Sequence, residues 1–542
     1  MGHEETGAQR DSRARERISR RGFLAGVGAG VGAAGALAMR PAAAIAEVLT
    51  PRAAGLATSP DRFGRIFNLP AFADLNAPTL PSALMAMGSP GGILDAKDAL
   101  DQGPVNLLTN PALSANNPDN PTHTAGTTFM GQFLDHDITF DQTSKLGVPL
   151  EPTQAPNVRT PAFDLDSVYG GGPAVSPALY NPADKDKFIV ESGGLFEDLP
   201  RRADRTAIIA DPRNDENLMI AGLQAAFLLF HNRVVDFLRA GGQSGSAFAA
   251  AQQLVRWHYQ WLILHEFLPL FIGQAMVDDI LHNGRRFYRP AFGQAFIPVE
   301  FQGAAYRFGH SMVRPSYRAN LAGDPGGNPA TGAPAFFGLV FDPAGDGQAD
   351  PVDLRGGARA PRRFIGWQTF FDFGGTFTTA LRRNKLIDTH ISSPLFHLPV
   401  NTIAPGTEPA PVVLAQRNLL RQMTWSMPSG QSIAQALGVA PLWAENFPEL
   451  QQFGHGLPSS TPLWYYALKE AEVVAGGQTL AGVGARIVGE VFIGLLQLSP
   501  TSYLAANPNW RPTLPRRSGA AGDFRLVDLL TFAGVDPTSR GQ

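Results

Sequence analysis

The sequence predicts a mainly α protein, a single large and loop-rich helical domain with very little β structure. Apolar residues recur at helical spacing in "MIAGLQAAFLLFHNRVVDFL", from Met219 to Leu238. A second segment, from about Ala247 to Gly273, is apolar on nearly every face, as expected of a helix inside a bundle. Alternating strand patterns are scarce, and glycine (58) and proline (45) make up about a fifth of the 542 residues, which favours long ordered loops.

The composition excludes several classes of function. The net charge is -3 and the basic residues are scattered, so the folded part carries no electrostatic footprint for nucleic acid. The absence of cysteine excludes disulfides, thiolate catalysis, iron–sulfur clusters and zinc–thiolate sites. A metal ion would therefore need His, Asp, Glu or carbonyl ligands. The oligomeric state stays open, except that a disulfide-linked dimer is excluded.

The N-terminal residues resemble a bacterial twin-arginine export signal. Arg20 and Arg21 precede a weakly apolar, Gly- and Ala-rich run (Gly22–Met39), and residues 44–46 offer a small-x-small cleavage site. The alternative is a transmembrane anchor, but the run is barely 18 residues long and is diluted with glycine. We expect residues 1–46 to be removed and the protein to be exported, to the periplasm or outside the cell, by the twin-arginine machinery. Its passengers are folded and often hold a cofactor. No later segment predicts a membrane anchor.

The rest of the chain divides into an arm and a body. Residues 47–121 are rich in Pro, Ala and Asn with only short apolar clusters, which predicts an arm packed on the body. Residues 122–542 form the predicted body. Besides the two long helices, the apolar spacing predicts helices at Gly303–Met312, Gly366–Phe371, Pro411–Gln422, Ser432–Leu437, Ser460–Val474, Leu480–Leu498 and Leu526–Ala533.

The segment "FMGQFLDHDITF", residues 129–140, concentrates polar groups in an otherwise apolar helix, where burial of charge is costly. On a helix, Gln132 and His136 share one face. Asp135 and Asp137 then point about 100° to either side of His136. We therefore expect His136 to face a cavity and each carboxylate to serve a different site. The alternative is a capped helix whose core histidine is bonded to Asp135.

The segment "RTPAFDLDSVYGGG", residues 159–172, offers hard oxygen donors. Asp164 and Asp166 alternate in a short run that also holds Thr160, at the close spacing that calcium loops use. The run cannot complete a coordination sphere alone, so a ligand from elsewhere is required, and Asp137 is a candidate. The alternative, an Asp-rich turn with side chains bonded to the backbone, is equally open on these residues alone.

Two segments place a pair of polar residues on one helical face. In "ADPRNDENLM", Arg213 and Glu216 are three residues apart at the start of a long apolar helix. In "LAQRNLLRQM", Asn418 and Arg421 have the same spacing. The first pair alone is more typical of a solvated helix start. The second pair alone indicates almost nothing.

One histidine lies in an aromatic and apolar stretch, "YRFGHSMVRPSY". His310 follows Arg307 by three residues, and Gly309 removes bulk beside it. A histidine in such surroundings is more often a satisfied core residue than a ligand. Whether His310 is a core residue or a ligand therefore depends on the other segments.

Taken together, in this order and at these separations, the segments resemble the animal-type haem peroxidases of the peroxidase–cyclooxygenase superfamily, particularly their bacterial members. The resemblance runs from about Thr122 to Pro515. "GQFLDHD" is similar to the family's distal-histidine motif and is highly specific, and "FDLDSVYG", "RFGHSMVRP" and "SPTSYLAANPNWRP" strengthen it. The fold implied is the large helical haem peroxidase domain of the animal, cyclooxygenase-like type.

The resemblance implies a haem b cofactor. It makes His136 the distal histidine with Gln132 as its cavity neighbour, and it matches Arg213 to the distal arginine. His310 matches the proximal iron ligand and Asn418 the asparagine that accepts its ring N–H. The remaining matches are the arginines that pair with haem propionates (Arg307, Arg421) and the carboxylates that in many members become ester-linked to haem methyl groups (Asp135, Glu216).

The resemblance also implies a calcium ion. Calcium would join the Asp-rich loop to the helix of His136 and fix that histidine through its neighbour. The implied ligands are the side chains of Asp137, Thr160, Asp164 and Asp166 and the main-chain carbonyl of Ala162.

The activity implied is that of a peroxidase, an oxidoreductase with hydrogen peroxide as acceptor. Neutral His136 would take a proton from peroxide and return it to the departing oxygen, and Arg213 would stabilise the developing negative charge, which leaves a ferryl haem. A small donor such as a halide, thiocyanate, a phenol or another organic compound would then reduce the haem in two steps. The sequence does not specify which donor.

Two alternatives remain open. A fatty-acid dioxygenase or cyclooxygenase-like enzyme would need a tyrosine three residues before the proximal histidine, where Arg307 stands. Tyr306, one residue out of register, would point about 100° away on a helix. A non-catalytic haem- or calcium-binding adhesion module would be expected to lack His136 or Arg213. The chain also departs from most relatives after Arg421, where "RQMTWSMPSG" replaces a basic, Gly-containing run and leaves the propionate contacts open.

Overall fold

The computed structural model describes residues 60–192, 197–321, 335–348, 350–357, 362–399, 411–517 and 522–539. These residues are mostly helical and their strands are short, which confirms the predicted fold class. All of them fall within one compact unit. The predicted export signal, residues 1–46, lies outside the described residues and stays a prediction.

Helices are the main regular elements of the described structure, and the strands form small antiparallel pairs. The helices are α1 (Leu80–Met87), α2 (Gly103–Thr109), α3 (Gly126–Ile138), α4 (Asp166–Tyr169), α5 (Gly172–Val175), α6 (Leu218–Ala240), α7 (Phe248–Leu262), α8 (Leu268–Ile272), α9 (Gln274–Asn283), α10 (Val299–Gln302), α11 (Gly309–Met312), α12 (Leu414–Thr424), α13 (Gly430–Leu437), α14 (Leu463–Ala475), α15 (Gly482–Leu498), α16 (Tyr503–Ala506) and α17 (Leu526–Ala533). The strands are β1 (Asp119–Thr124), β2 (Tyr180–Asn181), β3 (Asp184–Phe188), β4 (Glu191–Ser192), β5 (Glu197–Asp198), β6 (Ser316–Arg318), β7 (Phe337–Leu339) and β8 (Arg383–Lys385). They pair as β1–β8, β2–β3, β4–β5 and β6–β7.

Helix α6 is the long amphipathic helix that the sequence predicted, and it supports α3. Its first turn is capped by the side chain of Asn217, which accepts a hydrogen bond of 3.0 Å from the backbone N–H of Ile220. Phe227 stacks on Phe133 of α3 with ring centroids 4.7 Å apart. By length and composition α6 could also cross a membrane, which we did not expect, but 78% of its most apolar window is buried inside the fold. Its composition is therefore that of a core helix.

The second predicted helix, from about Ala247 to Gly273, consists of α7 and α8 joined by a π-helical turn, Ile263–Phe267. Such a turn holds one extra residue and is frequent at functional sites. Here it is followed by Phe271 of α8, which packs against Phe267 with ring centroids 4.6 Å apart. Both rings line the cavity described below.

Two predicted helices are shorter or less regular in the structure. Gly366–Phe371 reduces to a 3-10 turn at Trp367–Thr369. Gly303–Met312 divides into a 3-10 turn, Ala305–Phe308, and the four-residue helix α11. Because a 3-10 turn advances 120° per residue rather than 100°, the direction of each side chain differs from the α-helical expectation.

The described part of the predicted arm, residues 60–121, makes specific contacts with the body. The backbone N–H of Phe72 donates to the carbonyl of Met427 at 2.8 Å, and the buried carboxylate of Glu300 accepts from the backbone of Ile66 and Phe67 at 3.0 Å. This part also contains α1 and α2, which we had not predicted. The boundary at residue 121 stays a prediction.

We expect Gly126→Ala to destabilise the fold at the start of α3. A Cβ atom at this position would overlap the buried ring of Phe371, which packs against Trp367 and cannot move aside freely. The free energy of unfolding should fall by roughly 1–3 kcal/mol, as for other overpacked core positions. Urea denaturation measures it. Gly241→Ala, at the end of α6 with only ordinary contacts, is the matched control, and an equal loss in both variants would contradict the packing argument.

Candidate active site

A cavity of about 270 Å³ lies beside α3 and α11. It is lined by apolar side chains and by seven of the candidate site residues from the sequence. These are Gln132, Asp135, His136, Arg213, Glu216, Arg307 and His310. The structure therefore brings together residues that lie up to 178 positions apart in the chain.

Helix α3 presents its polar residues in different directions, as its spacing predicted. Asp135 and His136 line the cavity. Asp137 is fully buried on another side, where its carboxylate accepts from the backbone N–H of Leu165 at 3.1 Å and from the hydroxyl of Tyr259 at 3.0 Å. One buried helix thus contributes side chains to the cavity and, through Asp137, to a separate buried contact.

His136 is neutral and oriented. Its Nδ1 lies 2.8 Å from Oδ1 of Asn214, and its Nε2 lies 3.9 Å from Oε2 of Glu216. Burial, reinforced by the positive charge of Arg213, lowers the pKa of His136 to about 3. The imidazole can therefore accept a proton at neutral pH.

Arg213 is fixed beside His136 by a buried carboxylate. Its Nε and Nη2 donate to the two oxygens of Asp211 at 3.0 and 2.8 Å, and Nη2 also donates to the carbonyl of His136 at 3.1 Å. The guanidinium stacks on Phe140 at 3.9 Å, and its Nη1 lies 3.9 Å from the carboxylate of Asp135. Burial alone would raise the pKa of Asp211, but Arg213 outweighs it and the pKa falls to about 2. The pair is therefore charged and held in one orientation.

Glu216 faces the cavity in a largely protonated form at neutral pH. Burial raises its pKa to about 8 although Arg213 opposes the shift. Its Oε2 accepts from Nε2 of Gln132 at 3.0 Å, and Oε1 of Gln132 accepts from Nδ2 of Asn217 at 3.2 Å. Burial also raises the pKa of Asp135. Both residues that the resemblance matches to ester-forming carboxylates thus line the cavity.

His310 contacts Asn418, but the amide is turned the other way from our expectation. Nδ2 of Asn418, not its oxygen, lies 2.8 Å from Nδ1 of His310. The oxygen accepts instead from Nη1 of Arg307 at 3.2 Å. Burial, reinforced by Arg307, lowers the pKa of His310 to about 3. The ring is neutral, and its Nε2 has no hydrogen bond to any described residue.

Arg421, which the resemblance matches to an arginine that pairs with a haem propionate, has another partner in the structure. Nη1 of Arg421 donates to Asp141 at 2.7 Å, and Arg421 is absent from the cavity lining. Arg417, one turn earlier on α12, lines the cavity instead. Burial, together with the charge of Arg421, lowers the pKa of Arg417 to about 10 and that of Arg307 to about 9. Neither Arg307 nor Arg417 forms an ion pair with a described residue, so the cavity wall holds two cations suited to an anionic ligand.

The predicted calcium loop meets α3 at a cluster of three carboxylates. Oxygen atoms of Asp137, Asp164 and Asp166 lie within 4.8 Å of one another. Burial and mutual repulsion raise the pKa of Asp164 to about 6 and that of Asp137 well above its ordinary value. The backbone N–H of Thr160 donates to Asp166 at 2.9 Å, and Ala162 is buried nearby in the same loop. The arrangement is one that a divalent cation would stabilise.

Residues 141–324, about a third of the chain, match the sequence model described as animal haem peroxidase. The animal haem peroxidase family is thereby supported. The matched residues include Arg213 and His310, whereas His136 and Asn418 lie outside them.

Two relatives resemble short parts of the chain. Dual oxidase of Drosophila melanogaster is 29% identical over 135 residues, which cover 23% of this chain and 8% of that protein. Chorion peroxidase of the same fly is 33% identical over 110 residues, which cover 19% of this chain and 14% of that protein. The matched segments thus span a small part of these relatives.

Solved structures of two kinds share the fold. Peroxidase A from Dictyostelium discoideum superposes with a TM-score of 0.53 at 14% identity, over 89% of this chain and 91% of that one. The fatty acid alpha-dioxygenase of Oryza sativa superposes with a TM-score of 0.56 at 13% identity, over 84% of this chain and 77% of that one. At these identities the likeness shows a fold that peroxidases and dioxygenases share.

The cavity residues fit the haem that this family implies. An iron ligand must offer a ring nitrogen with a lone pair. His310 is a partly buried, neutral histidine whose Nε2 has no hydrogen-bond partner among the described residues. While Nδ2 of Asn418 donates to Nδ1, the ring proton lies on Nε2, so ligation of iron requires the Asn418 amide to turn by 180°. Haem carries two carboxylates, and the wall holds two guanidinium groups without an acidic partner among the described residues, those of Arg307 and Arg417. The all-oxygen cluster of Asp137, Asp164 and Asp166 likewise fits a hard cation such as calcium.

The structure corrects the expected direction of Tyr306. This tyrosine lines the cavity, and its hydroxyl donates to the carbonyl of Gly131 on α3 at 2.9 Å. The expectation that it points away assumed a regular α-helix, whereas residues 305–308 form a 3-10 turn. A tyrosine is therefore present at the cavity wall four residues before His310.

The sequence analysis did not predict several of the residues that the structure places at the site. Asp211, which holds Arg213, also lies 3.0 Å from Nε of Arg159, and Nη1 of Arg159 donates to Asp166 at 3.2 Å. The Asp-Pro pair at the start of a turn is a recognisable cap signal and could have indicated Asp211. Arg159 and Asn214 had no periodic or spacing signal, because their partners come from distant segments.

Glu216→Gln should stabilise the haem-free protein increasingly as pH rises. The folded pKa of about 8 lies above the ordinary value of 4.5, so between these values the folded state holds a proton that the unfolded state has lost. The stability of the wild type therefore falls as pH rises through this window, and glutamine removes the loss. We expect a gain of roughly 4–5 kcal/mol at pH 8.5 and little at pH 4.5, from urea unfolding. The exposed Glu445→Gln is the control, and a gain independent of pH would contradict the shift.

Proposed function

We propose that the protein is a haem peroxidase that reduces hydrogen peroxide and oxidises a small donor. The supporting observation is that a single cavity is lined by two neutral histidines, the buried His136 and the partly buried His310, and by an arginine fixed beside the first. A neutral base and a permanent cation at one place are the groups that heterolysis of a peroxide bond requires. The family match supports the same conclusion.

His136 would act as base and then as acid. At neutral pH its imidazole carries no positive charge, so it can take a proton from peroxide and return that proton to the departing oxygen as water forms. Burial of the ring limits competing proton exchange with solvent. A positioned group of this kind contributes about 10²–10⁴-fold to rate.

Arg213 would stabilise the negative charge that develops on the departing oxygen. Three of its donor hydrogens are committed to Asp211 and to the carbonyl of His136, so the guanidinium does not need to reorganise during the reaction. Arginine remains charged throughout the physiological pH range. Gln132 would add a hydrogen-bonding group beside them in the cavity.

Haem b, when bound, would supply the redox chemistry, and the chain would hold it. His310 would ligate its iron through Nε2, with the Asn418 amide turned so that its oxygen accepts the N–H of Nδ1 and orients that ring. Arg307 and Arg417 would pair with its carboxylates, in place of the Arg307 and Arg421 pair that the resemblance implies. Asp135 and Glu216 are proposed sites of ester links to its methyl groups.

We further propose calcium at the three-carboxylate cluster, with Thr160 and the carbonyl of Ala162 completing its ligands. The mutual repulsion of Asp137, Asp164 and Asp166 gives the cation a favourable place to bind. Because Asp137 follows His136 directly, the ion would stiffen the end of α3. We also propose that the twin-arginine machinery exports the folded protein out of a bacterial cytoplasm.

A second candidate function rests on Tyr306. A fatty-acid dioxygenase of this fold would need a tyrosine at the cavity wall, and Tyr306 is one, although it stands four and not three residues before His310. The fold likeness to an alpha-dioxygenase agrees with this candidate as well as with a peroxidase. Oxygen uptake with oleate in the absence of peroxide would favour it.

His136→Leu should abolish most of the peroxidase activity of the haem-loaded protein. Without a base, kcat/KM for hydrogen peroxide should fall by about 10²-fold or more, measured by oxidation of guaiacol. His282→Gln, at the end of α9 outside the cavity lining, is the control and should leave the rate unchanged. Equal rates in wild type and His136→Leu, or no peroxide-dependent oxidation by either haem-loaded protein, would refute the proposal.

Asp164→Asn should weaken calcium binding by about tenfold or more, because it removes one of three clustered negative charges. Isothermal titration of chelator-treated protein measures the affinity, and the rise of the melting temperature with added calcium gives a second measure. Asp278→Asn, on the surface helix α9, is the control. Identical calcium affinity in wild type and Asp164→Asn would exclude this cluster as the site.

A further inference from the structure

Two buried amides connect His136 to the core helix α6. Nδ1 of His136 faces Oδ1 of Asn214 at 2.8 Å, and Nδ2 of Asn214 donates to Oε1 of Gln224 at 2.8 Å. Gln224 lies on α6, three residues before Phe227, within the core. Neither Asn214 nor Gln224 lines the cavity, so the two amides lie on the side of the His136 ring that faces away from it.

The directions of these hydrogen bonds specify where the ring proton lies. A carbonyl oxygen only accepts, so the ring nitrogen that faces Oδ1 of Asn214 must be the one that carries hydrogen. In a neutral imidazole the other nitrogen, Nε2, then holds a lone pair. It is Nε2 that lies toward Glu216, a residue of the cavity lining.

We propose that Asn214, held by Gln224, is a positioning residue that keeps the ring proton of His136 on Nδ1 and leaves Nε2 free to accept a proton. The inference deepens the proposed peroxidase function and rests on it, because a distal base is useful only if its unprotonated nitrogen faces the substrate. The other tautomer would present an N–H to the cavity and could not act as base in the first step.

Burial makes this control effective. His136 is 4% exposed, and Asn214 and Gln224 are fully buried, so water does not compete for their hydrogen bonds. The backbone N–H of Asn214 also donates to the carbonyl of Asp211 at 3.0 Å, which fixes the start of its side chain. Rotating both amides by 180° would reverse every donor and place the ring proton on Nε2. The orientation of the two amides therefore decides which tautomer forms. Nε2 of Gln224 has no hydrogen-bond partner among the described residues, so the tautomer itself is the direct test of that orientation.

The tautomer can be measured directly. In the full chain labelled with ¹⁵N-histidine, with and without gallium protoporphyrin as a diamagnetic substitute for haem, long-range ¹H–¹⁵N spectra show which ring nitrogen is protonated. Signals of His136 are assigned by their loss in His136→Gln. We expect the Nδ1–H form in the wild type. Finding the Nε2–H form would overturn the inference whatever the variants do.

Variants test the role of the amides. Asn214→Leu removes the acceptor and Gln224→Met removes its support, so both should shift His136 towards the Nε2–H form, Asn214→Leu the more strongly. Gln431→Met is the matched control, because Gln431 is also a buried amide but lies outside the cavity lining. A tautomer unchanged in Asn214→Leu would overturn the inference.

Kinetics separate this inference from the proposed function. In the haem-loaded protein, Asn214→Leu should slow the reaction with peroxide by about tenfold or more and leave the KM for guaiacol unchanged. If the wild type showed the Nδ1–H form but no peroxide-dependent oxidation, the proposed function would fail and the tautomer control would stand. If the wild type were active in the Nε2–H form, the tautomer control would fail and the function would stand.

Discussion

Three consecutive polar side chains on the buried helix α3 each need a different partner, and much of the site follows from how the chain supplies them. Asp135 lies near Arg213, His136 meets Asn214, and Asp137 is held by Leu165 and Tyr259. Since an uncompensated charge in the interior is costly, the elements that provide these partners must pack closely around α3. The cavity and the carboxylate cluster therefore both result from the way these elements pack around α3.

A single buried aspartate connects the cavity with the carboxylate cluster. Asp211 holds Arg213 at the cavity and also lies against Arg159, which in turn contacts Asp166 of the cluster. Asp211 accepts two hydrogen bonds from the guanidinium of Arg213 and forms an ion pair with that of Arg159. The orientation of Arg213 thus depends on groups well outside the cavity.

Local patterns in the sequence predicted the parts of the fold that depend on periodicity. The apolar spacing of α6 located that helix within two residues at each end, and the directions of Asp135, His136 and Asp137 followed from 100° per residue. Predictions failed where the backbone departs from the α-helix or where partners are distant. The 3-10 turn at residues 305–308 brings Tyr306 to the cavity, which regular spacing did not indicate.

The arginines of α12 show a second limit. Arg417 and Arg421 lie on the same side of one helix, so spacing alone cannot say which of them reaches the cavity. Asp141, which is distant in sequence, binds Arg421, and Arg417 is then the arginine that lines the cavity. The pairing of Asn214 with Gln224 is likewise a tertiary contact between two uncharged amides, and no composition or periodicity marks it.

Because of the π-helical turn between α7 and α8, the number of residues in this helix cannot change without moving side chains of the cavity wall. Each residue of a helix advances the side chains by about 100°, so deleting one residue from the turn would restore regular winding but rotate everything after it. Phe267 and Phe271 would leave the cavity wall, while Trp261 before the turn would keep its place against Tyr503 and Trp510. Homologous chains that keep both aromatic groups in place must therefore keep the extra residue, and an insertion or deletion here is tolerated less than one in an exposed loop.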